Sequence, residues 1–262
     1  MTIRFLICIV TLAPFLACAE SNYWNHIEEL MKFGTPQGNP RLESYLKDLP
    51  PDQMLQAARE YCAKCQAKFP EDQWGPAGIA INIIMTFYGD ERAKLSDDRF
   101  SALLNCIADG KESALFRETL VRLLRDKYWR HLTEEQQEQS RRRLLELVSD
   151  GKSPVRLRAA SCREIELAIA ENHRDIILSD KNVRALRNDK DKWWNLDDLV
   201  RKGEVRLDPE TRKALKTLQG EIEKITPTLT ALSQDAAESP EVKDRAKAAL
   251  KTFAELPVAP KE

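Results

Sequence analysis

The chain has 262 residues, and its 41 Lys and Arg side chains nearly balance its 42 Asp and Glu side chains, for a formal net charge of −1. That balance argues against nonspecific nucleic-acid binding, which needs a strong excess of basic side chains. Charged residues make up 32% of the chain, aromatic residues 7%, and only 9 residues are Gly. Because this composition is typical of helices, we expect an all-α protein that binds no nucleic acid.

An apolar stretch covers residues 5–19. A membrane-spanning helix needs about 20 apolar residues, so this stretch is too short to act as one. Its last residues, Ala17-Cys18-Ala19, form the small-x-small pattern that precedes signal-peptidase cleavage. We therefore expect residues 1–19 to be a signal peptide and the mature chain to be extracytoplasmic, either periplasmic or secreted, without a transmembrane segment.

A second processing route is open at the same place. The sequence Phe15-Leu16-Ala17-Cys18 resembles a bacterial lipobox, in which the cysteine becomes the lipidated N-terminus, although Leu is more typical where Phe15 stands. Lipidation would make the protein a lipoprotein that is anchored to a membrane through Cys18. Cleavage after Ala19 would instead release a free chain with 40 basic and 42 acidic side chains.

Residues 20–50 predict N-terminal helices and a hinge. Apolar side chains at helical spacing indicate a helix over residues 21–33. The segment 35–40 is rich in Pro and Gly and forms the hinge, after which Asn39 can cap a short helix that ends near Leu49.

Helix signals recur from residue 51 to residue 256, with Ser, Thr, Asp or Pro at the candidate N-termini. Thr133 and Gln136 have the spacing of a capping box. Residues 173–207 lack this periodicity and form an irregular insertion, and residues 257–262 form a loose tail. The expected helices cover residues 51–69, 76–88, 96–108, 113–128, 133–149, 153–172, 208–225, 226–237 and 239–256.

The sequence also repeats itself. The tripeptide that begins at Asp109 recurs at Asp150, 41 residues later, and the same offset relates Arg117 to Arg158. In the other direction it relates Cys106 to Cys65. Apolar positions on both flanking helices keep this register. A helical hairpin cannot bury its own apolar face, so we expect stacked hairpins that share one core.

Three segments have an Asp, a Pro shortly after it, and then a basic residue and an Ala at helical spacing. These segments resemble the second helix of HEAT repeats, and the resemblance covers residues 51–256 in patches. It implies a short α-solenoid of stacked antiparallel helix pairs, with repeats over 51–172 and 208–256, and it carries no catalytic residues. The matching sets are Asp150, Pro154, Val155, Arg158 and Ala159; Asp208, Pro209, Thr211, Arg212 and Ala214; and Asp235, Pro240, Val242, Arg245 and Ala246.

The resemblance implies that the second helix of each pair lines the inner surface of the solenoid. We expect Arg158 and Arg245 to serve the packing between repeats. Six other basic side chains on these helices divide between two roles: some serve the same packing, and the rest line a groove for an extended peptide or an acidic segment. The six are Arg117, Arg122, Arg156, Arg163, Arg212 and Lys243.

The motif Cys62-x-x-Cys65 has three interpretations. It lies on the apolar stripe of the helix expected over 51–69, which favours two small core residues. The repeat register brings Cys106 to an equivalent place, so a disulfide between Cys106 and Cys62 or Cys65 is the second interpretation. A redox or zinc role is the third, and it is disfavoured because a redox pair normally lies at a helix N-terminus.

Trp193 and Trp194 lie side by side in a charged stretch of the insertion. Either they anchor the insertion to the helices, or at least one of them is exposed and contacts a partner. The sequence has no zinc-protease, serine-hydrolase or phosphate-binding loop motif, and only three His residues. We therefore expect a non-catalytic scaffold without a cofactor that binds a protein or a peptide. The alternative is a metal-binding or enzymatic helical envelope protein.

Overall fold

The protein is all-α within the described residues and contains no strand there, which confirms the all-α class expected from the sequence. The computed structural model describes residues 23–32, 39–70, 81, 82, 84–89 and 94–257. The expected signal peptide and lipobox, and most of the tail, lie outside these ranges. The helices are α1 (Tyr23–Met31), α2 (Pro40–Asp48), α3 (Pro51–Lys68), α4 (Asp97–Ala108), α5 (Ala114–Leu123), α6 (Glu134–Ser149), α7 (Val155–Ser179), α8 (Lys181–Ala185), α9 (Lys190–Trp194), α10 (Leu196–Arg201), α11 (Pro209–Gln234) and α12 (Pro240–Glu255).

Short polar side chains begin most of these helices, as the sequence predicts. Ser96 caps α4, Ser113 caps α5 and Asp208 caps α11, each by accepting a hydrogen bond from the backbone N–H three residues later. Thr133 and Gln136 form the predicted capping box, with hydrogen bonds of 3.2 and 3.1 Å. Each such cap satisfies a backbone N–H that has no partner inside the helix.

Helix α7 is longer than expected. The sequence predicts its end at residue 172, whereas the helix runs to Ser179. His173 and Ile177 continue, at steps of four residues, the buried face to which Ile169 belongs. Because this face stays covered, the helix continues into the segment that we expected to be irregular.

A second predicted helix boundary, at Thr226, is absent from the structure. Two helices are expected on either side of Thr226, but α11 is continuous from Pro209 to Gln234 and contains Pro227. A proline inside a helix removes a hydrogen bond and costs about 3 kcal/mol. Ile225 and Leu229 flank this proline and are buried in the core. Their burial favours the continuous helix, because a break between them would move one of them away from its neighbours.

The end of α5 departs from a regular α-helix. After Leu123 the backbone becomes π-helical over Leu124–Tyr128 and then 3-10-helical over Trp129–His131. Tyr128 and Trp129 are both buried, and the Tyr128 hydroxyl donates to the carbonyl of Met85 at 2.9 Å. A π-helical turn admits an extra residue per turn, and such turns are frequent at functional sites.

The long helix α7 is the centre of the packing. It contacts α5, α6, α11 and α12, and α12 also packs against α11. Helix α4 contacts α5 and α6, whereas α3 packs against α1 and α5. The buried side chains of these helices form one large core that extends from Trp24 to Phe253.

Three loops between sequential helices have the same hydrogen bonds. In each loop an Asp ends a helix, and its Oδ1 accepts from the backbone N–H two residues later, at 2.9 Å for Asp109, 3.0 Å for Asp150 and 2.8 Å for Asp235. In each loop the carbonyl of that Asp also accepts from the N–H three residues later. The loops at Asp109 and Asp150 carry the 41-residue offset found in the sequence.

An arginine follows each of the first two loops in an equivalent place. Arg117 donates from Nε to the carbonyl of Ile107 at 2.8 Å, and Arg158 donates from Nε to the carbonyl of Val148 at 2.9 Å. The third loop, aligned by its Asp, has Lys243 in that place. Arg245, which we expected to serve the packing between repeats, is exposed.

Candidate functional site

The tryptophan pair lies on the short helix α9, between two polar residues that fix the ends of this helix. Asp189 accepts a hydrogen bond from the backbone N–H of Lys192 at 3.2 Å and caps the N-terminus. Asn195 follows the helix, and its side chain donates to the carbonyl of Asp191 at 2.9 Å. These local hydrogen bonds explain why a charged segment without apolar periodicity forms a helical turn.

Trp193 faces inward. It is half-buried and packs against a second, smaller hydrophobic cluster. The guanidinium of Arg187 lies 5.8 Å from the centroid of its ring, within the distance of a cation–π interaction. We call this second group of buried side chains the small cluster; its members are Ile177, Val183, Leu196, Val200, Leu207 and Leu215.

Trp194 faces outward. Its exposed fraction is 83%, the largest among the exposed large apolar side chains of the described residues. The charged residues near the pair form ion pairs with one another. Lys192 contacts Asp189 at 3.2 Å, and Arg201 contacts Asp198 at 3.1 Å. The anchoring and the exposed interpretations therefore apply to different members of the pair.

The basic side chains expected to line a groove do not act as one group. Arg117 is buried and its Nε donates to a backbone carbonyl, so it is one of the members that serve the packing and does not line a groove. Arg122 and Arg156 both contact the buried carboxylate of Glu118, at 2.6 and 3.3 Å. Of the set, Arg163 is exposed.

The last two members of that set lie elsewhere. Arg212 and Lys243 are half-buried, and Lys243 donates to the carbonyl of Ala236 at 3.3 Å. Arg212 lies on α11, the first helix of its pair, and not on a second helix as expected. Arg122 and Arg156 are matched by an acid of the same protein, Glu118. An acidic partner segment would have to compete with these internal ion pairs.

The cysteines of the described residues are thiols that lie in the helical core or beside it. Cys62 and Cys65 are buried, as the core interpretation predicts, and Cys106 is half-buried with its Sγ 3.7 Å from a guanidinium nitrogen of Arg59. All four cysteines of the described residues are free, so the structure contains no bond between Cys106 and Cys62 or Cys65. Burial raises the pKa of Cys62 far above its ordinary value and raises the pKa of Cys162 to about 12.

Two absences within the described residues bear on metal ions and membranes. No group of three or more His, Cys, Asp or Glu side chains in this part of the chain is arranged to hold a metal ion. No helix in the same part is long and apolar enough to cross a membrane.

Sequence reasoning missed the surroundings that orient the tryptophan pair. Arg187 and the members of the small cluster come from five helical elements and the loop that holds Leu207, and no local motif connects them. Leu196 and Val200 are the one local signal, because two apolar residues four positions apart lie on the same face of a helix. That signal would have predicted α10 inside the segment expected to be irregular.

The chain matches no protein-family model, no curated protein sequence and no solved structure. The resemblance to HEAT repeats therefore stays a prediction from the sequence.

Proposed function

We propose that the protein is a non-catalytic scaffold that works outside the cytoplasm and binds a protein or peptide partner through a surface centred on Trp194. The observation that carries this proposal is the 83% exposure of a tryptophan whose neighbour in sequence is anchored in the small cluster. Tryptophan is enriched among the few residues that supply most of the binding energy of protein interfaces, each worth about 2 kcal/mol or more.

The way in which Trp194 is held also supports the proposal. Trp193 holds α9 on the small cluster, and the hydrogen bonds of Asp189 and Asn195 fix the two ends of this helix. A side chain on an ordered element loses less conformational freedom on binding than one on a flexible loop, so more of its contact energy remains as affinity. Arg187 adds to this order by packing over the inner ring.

The helix contacts support a scaffold of stacked pairs. Helices α4, α6 and α11, which come first in their pairs, contact one another in that order, and the second helices α5, α7 and α12 do the same. The common hydrogen bonds of the loops at Asp109, Asp150 and Asp235 point to the same architecture. A solenoid of the HEAT type offers a large surface for its mass and suits a protein that holds another.

The extracytoplasmic location rests on the sequence. Residues 1–19 have the charge, the apolar stretch and the small residues of a signal peptide. A lipid anchor at Cys18 is the second route and would place the same scaffold on a membrane surface.

Two single substitutions separate binding from folding. We expect Trp194→Ala to weaken partner binding at least about tenfold without changing the melting temperature, because the exposed ring makes few internal contacts. We expect Trp193→Ala to lower the melting temperature, because its ring packs on the small cluster. Phe69→Ala is the matched control, since Phe69 is another exposed aromatic side chain with 47% exposure.

The assay uses a photo-crosslinking amino acid at position 194 in the exported protein, followed by identification of the crosslinked protein. The Kd of that protein is then measured for the three variants, with circular dichroism as the folding control. The proposal fails if no protein crosslinks at 194, or if Trp194→Ala binds as tightly as the Phe69→Ala control. It also fails if Trp194→Ala loses binding only because it unfolds.

A further inference from the structure

The segment between α7 and α11 is basic, whereas the rest of the chain is acidic. Residues 181–207, which we call the basic segment, contain 8 Lys and Arg side chains against 5 Asp and Glu side chains, a net charge of +3. Of the 40 basic and 42 acidic side chains from Glu20 onward, that leaves 32 and 37 for all other residues, a net charge of −5. Asp180 and Asp208 flank the segment, and both accept hydrogen bonds from backbone N–H groups as helix caps. The exposed Trp194 therefore lies on the one strongly basic stretch of an acidic protein.

The excess of positive charge remains after the two ion pairs inside the segment are formed. Among its described side chains, three acids form no ion pair with the described residues, namely Asp191, Asp197 and Glu204. Five basic side chains are in the same situation, and all eight of these side chains are exposed. The five are Lys181, Arg184, Arg187, Lys202 and Arg206.

Arg187 places one of these unpaired charges beside the tryptophan pair. Its guanidinium lies 5.8 Å from the centroid of the Trp193 ring, and Trp193 directly precedes Trp194 in the chain. The Arg187 side chain is exposed and makes no ion pair or hydrogen bond with the described residues. A guanidinium presents five N–H donors in a planar fork that matches a carboxylate. The surface thus combines a large apolar ring with a cation that no acid of the described chain neutralises.

This combination fits a partner that presents a carboxylate close to an apolar side chain. Trp and Arg are two of the residue types that supply most of the binding energy in protein interfaces. A hydrogen bond from a guanidinium to a carboxylate is roughly twice as strong as one between neutral groups. The charge distribution acts in the same direction, because an acidic partner is attracted to the basic segment and repelled by the rest of the protein.

An anionic membrane surface fits this segment less well. Helices that lie on a membrane bury a broad apolar face in the lipid. Helix α9 is five residues long, and Trp194 is its one exposed large apolar side chain. The other exposed large apolar side chains of the described residues, Phe69 and Val155, lie outside the basic segment. The observations therefore favour a protein over a lipid surface.

We propose that the partner bound at Trp194 presents an acidic segment, in which Asp or Glu side chains flank a large apolar side chain that packs on the Trp194 ring. Arg187 binds one of these carboxylates, and the other unpaired basic side chains of the basic segment attract the partner through their charge. The proposal rests on the proposed function, because it requires Trp194 to bind a protein or a peptide. It adds the charge of the partner and a second binding residue.

The first test pans a phage-displayed library of random dodecapeptides against the mature protein. Trp194→Ala protein is used for counter-selection, so that the surviving peptides depend on the Trp194 ring. Relative to the unselected library, we expect these peptides to be enriched in Asp and Glu, depleted in Lys and Arg, and to contain a large apolar residue.

The second test locates the carboxylate contact with a synthetic copy of the tightest-binding peptide. We expect Arg187→Gln to raise the Kd of this peptide about tenfold, the loss typical of a hydrogen bond between charged groups. A second copy, with Asn and Gln in place of Asp and Glu, should bind Arg187→Gln and the parent equally. Arg163→Gln is the matched control, because Arg163 is an exposed arginine of α7 outside the basic segment, and it should bind like the parent. Circular dichroism checks that both variants are folded.

Two results overturn this proposal and leave the proposed function in place. The first is that the Trp194-dependent peptides show no enrichment in Asp and Glu. The second is that Arg187→Gln weakens the acidic peptide and its amide copy by the same factor, which would mean that Arg187 only supports the Trp193 ring.

Two further results concern the class of partner. If a protein crosslinks at position 194 but no peptide depends on Trp194, the partner is recognised as a folded surface, and the acidic segment is overturned alone. If neither a protein nor a peptide is found, the proposed function fails as well. Vesicles of phosphatidylcholine and phosphatidylglycerol in equal parts are the last probe. Binding to them that depends on Trp194, in the absence of any Trp194-dependent peptide, would assign the basic segment to an anionic membrane and overturn the proposal.

Discussion

The ion pair between Arg158 and Glu238 should be one of the interactions on which the stability of the protein depends most. The two side chains form a bidentate pair with distances of 2.9 and 2.5 Å, and their exposed fractions are only 6% and 8%. Arg158 lies on α7, and Glu238 lies in the loop between α11 and α12. The pair therefore joins two neighbouring helix pairs at the centre of the fold.

Glu238→Gln keeps the shape of the side chain and removes its charge. Removal of one partner of a buried ion pair costs about 3–5 kcal/mol, because the other charge remains buried without compensation. The Nε bond of Arg158 to the carbonyl of Val148 remains, and the glutamine oxygen still accepts one hydrogen bond, so we expect the lower end, about 3 kcal/mol. For a chain of this size that corresponds to a fall of roughly 6–12 °C in melting temperature.

Urea unfolding followed by circular dichroism measures the loss. Glu146→Gln is the matched control, since Glu146 contacts Arg143 at 2.7 Å on the surface of α6, where the exposed fractions are 54% and 40%. Exposed pairs are worth about 0–1 kcal/mol, so the control should stay close to the parent. Double substitution of Arg158 and Glu238 by methionine should restore part of the loss, because no unpaired charge is then left in the core.

The pH dependence gives a second measurement of the same pair. The hydrogen bonds from Arg158 lower the pKa of Glu238 below its ordinary value. The contribution of the pair is therefore complete above the ordinary Glu pKa of about 4.3 and is lost as the pH falls through the lowered value. The stability difference between the parent and Glu238→Gln should be constant near neutral pH and shrink below about pH 4. The reasoning is refuted if Glu238→Gln costs no more than Glu146→Gln, or if the difference does not shrink in acid.

Two further predictions concern the reactivity of the thiols and the N-terminus of the exported protein. Burial raises the thiol pKa of Cys62, Cys106 and Cys162, and Cys106 is the least buried of the three. Iodoacetamide should therefore modify Cys106 first and should reach the other two only when the protein unfolds. Equal modification rates of the three thiols in the native protein, measured by peptide mass, would contradict this prediction. Intact-mass measurement of the exported protein should give a chain that starts at Glu20, and a start at Cys18 with two or three acyl chains would show that the lipoprotein route is used instead.

Features that depend on a few neighbouring residues were predictable from the sequence. The capping box of Thr133 and Gln136 is an example, since both hydrogen bonds join residues three positions apart. The equivalence of Arg117 and Arg158 was also visible, because the same loop and the same carbonyl contact recur at one offset. Each of these contacts lies within about ten residues, so a local pattern carries the information.

The tertiary structure decided the features that depend on packing between segments far apart in the sequence. Helix α11 continues through Pro227 because Ile225 and Leu229 are both buried against other helices, a gain that the sequence around the proline does not contain. Which tryptophan of the pair faces solvent depends on the small cluster, whose members extend from Ile177 to Leu215.

A cavity between the end of α5, the beginning of α6 and the C-terminal half of α7 is the clearest case of this second kind. Its lining residues belong to three elements, from Trp129 through Gln137 to Asp175, and no spacing in the sequence brings them together. The sequence by itself determined the fold class, the caps and the apolar stripes, because those follow from helical periodicity and from short hydrogen bonds. The tertiary structure alone decided where donors, acceptors and charges meet, because that depends on how α5, α6 and α7 pack against one another.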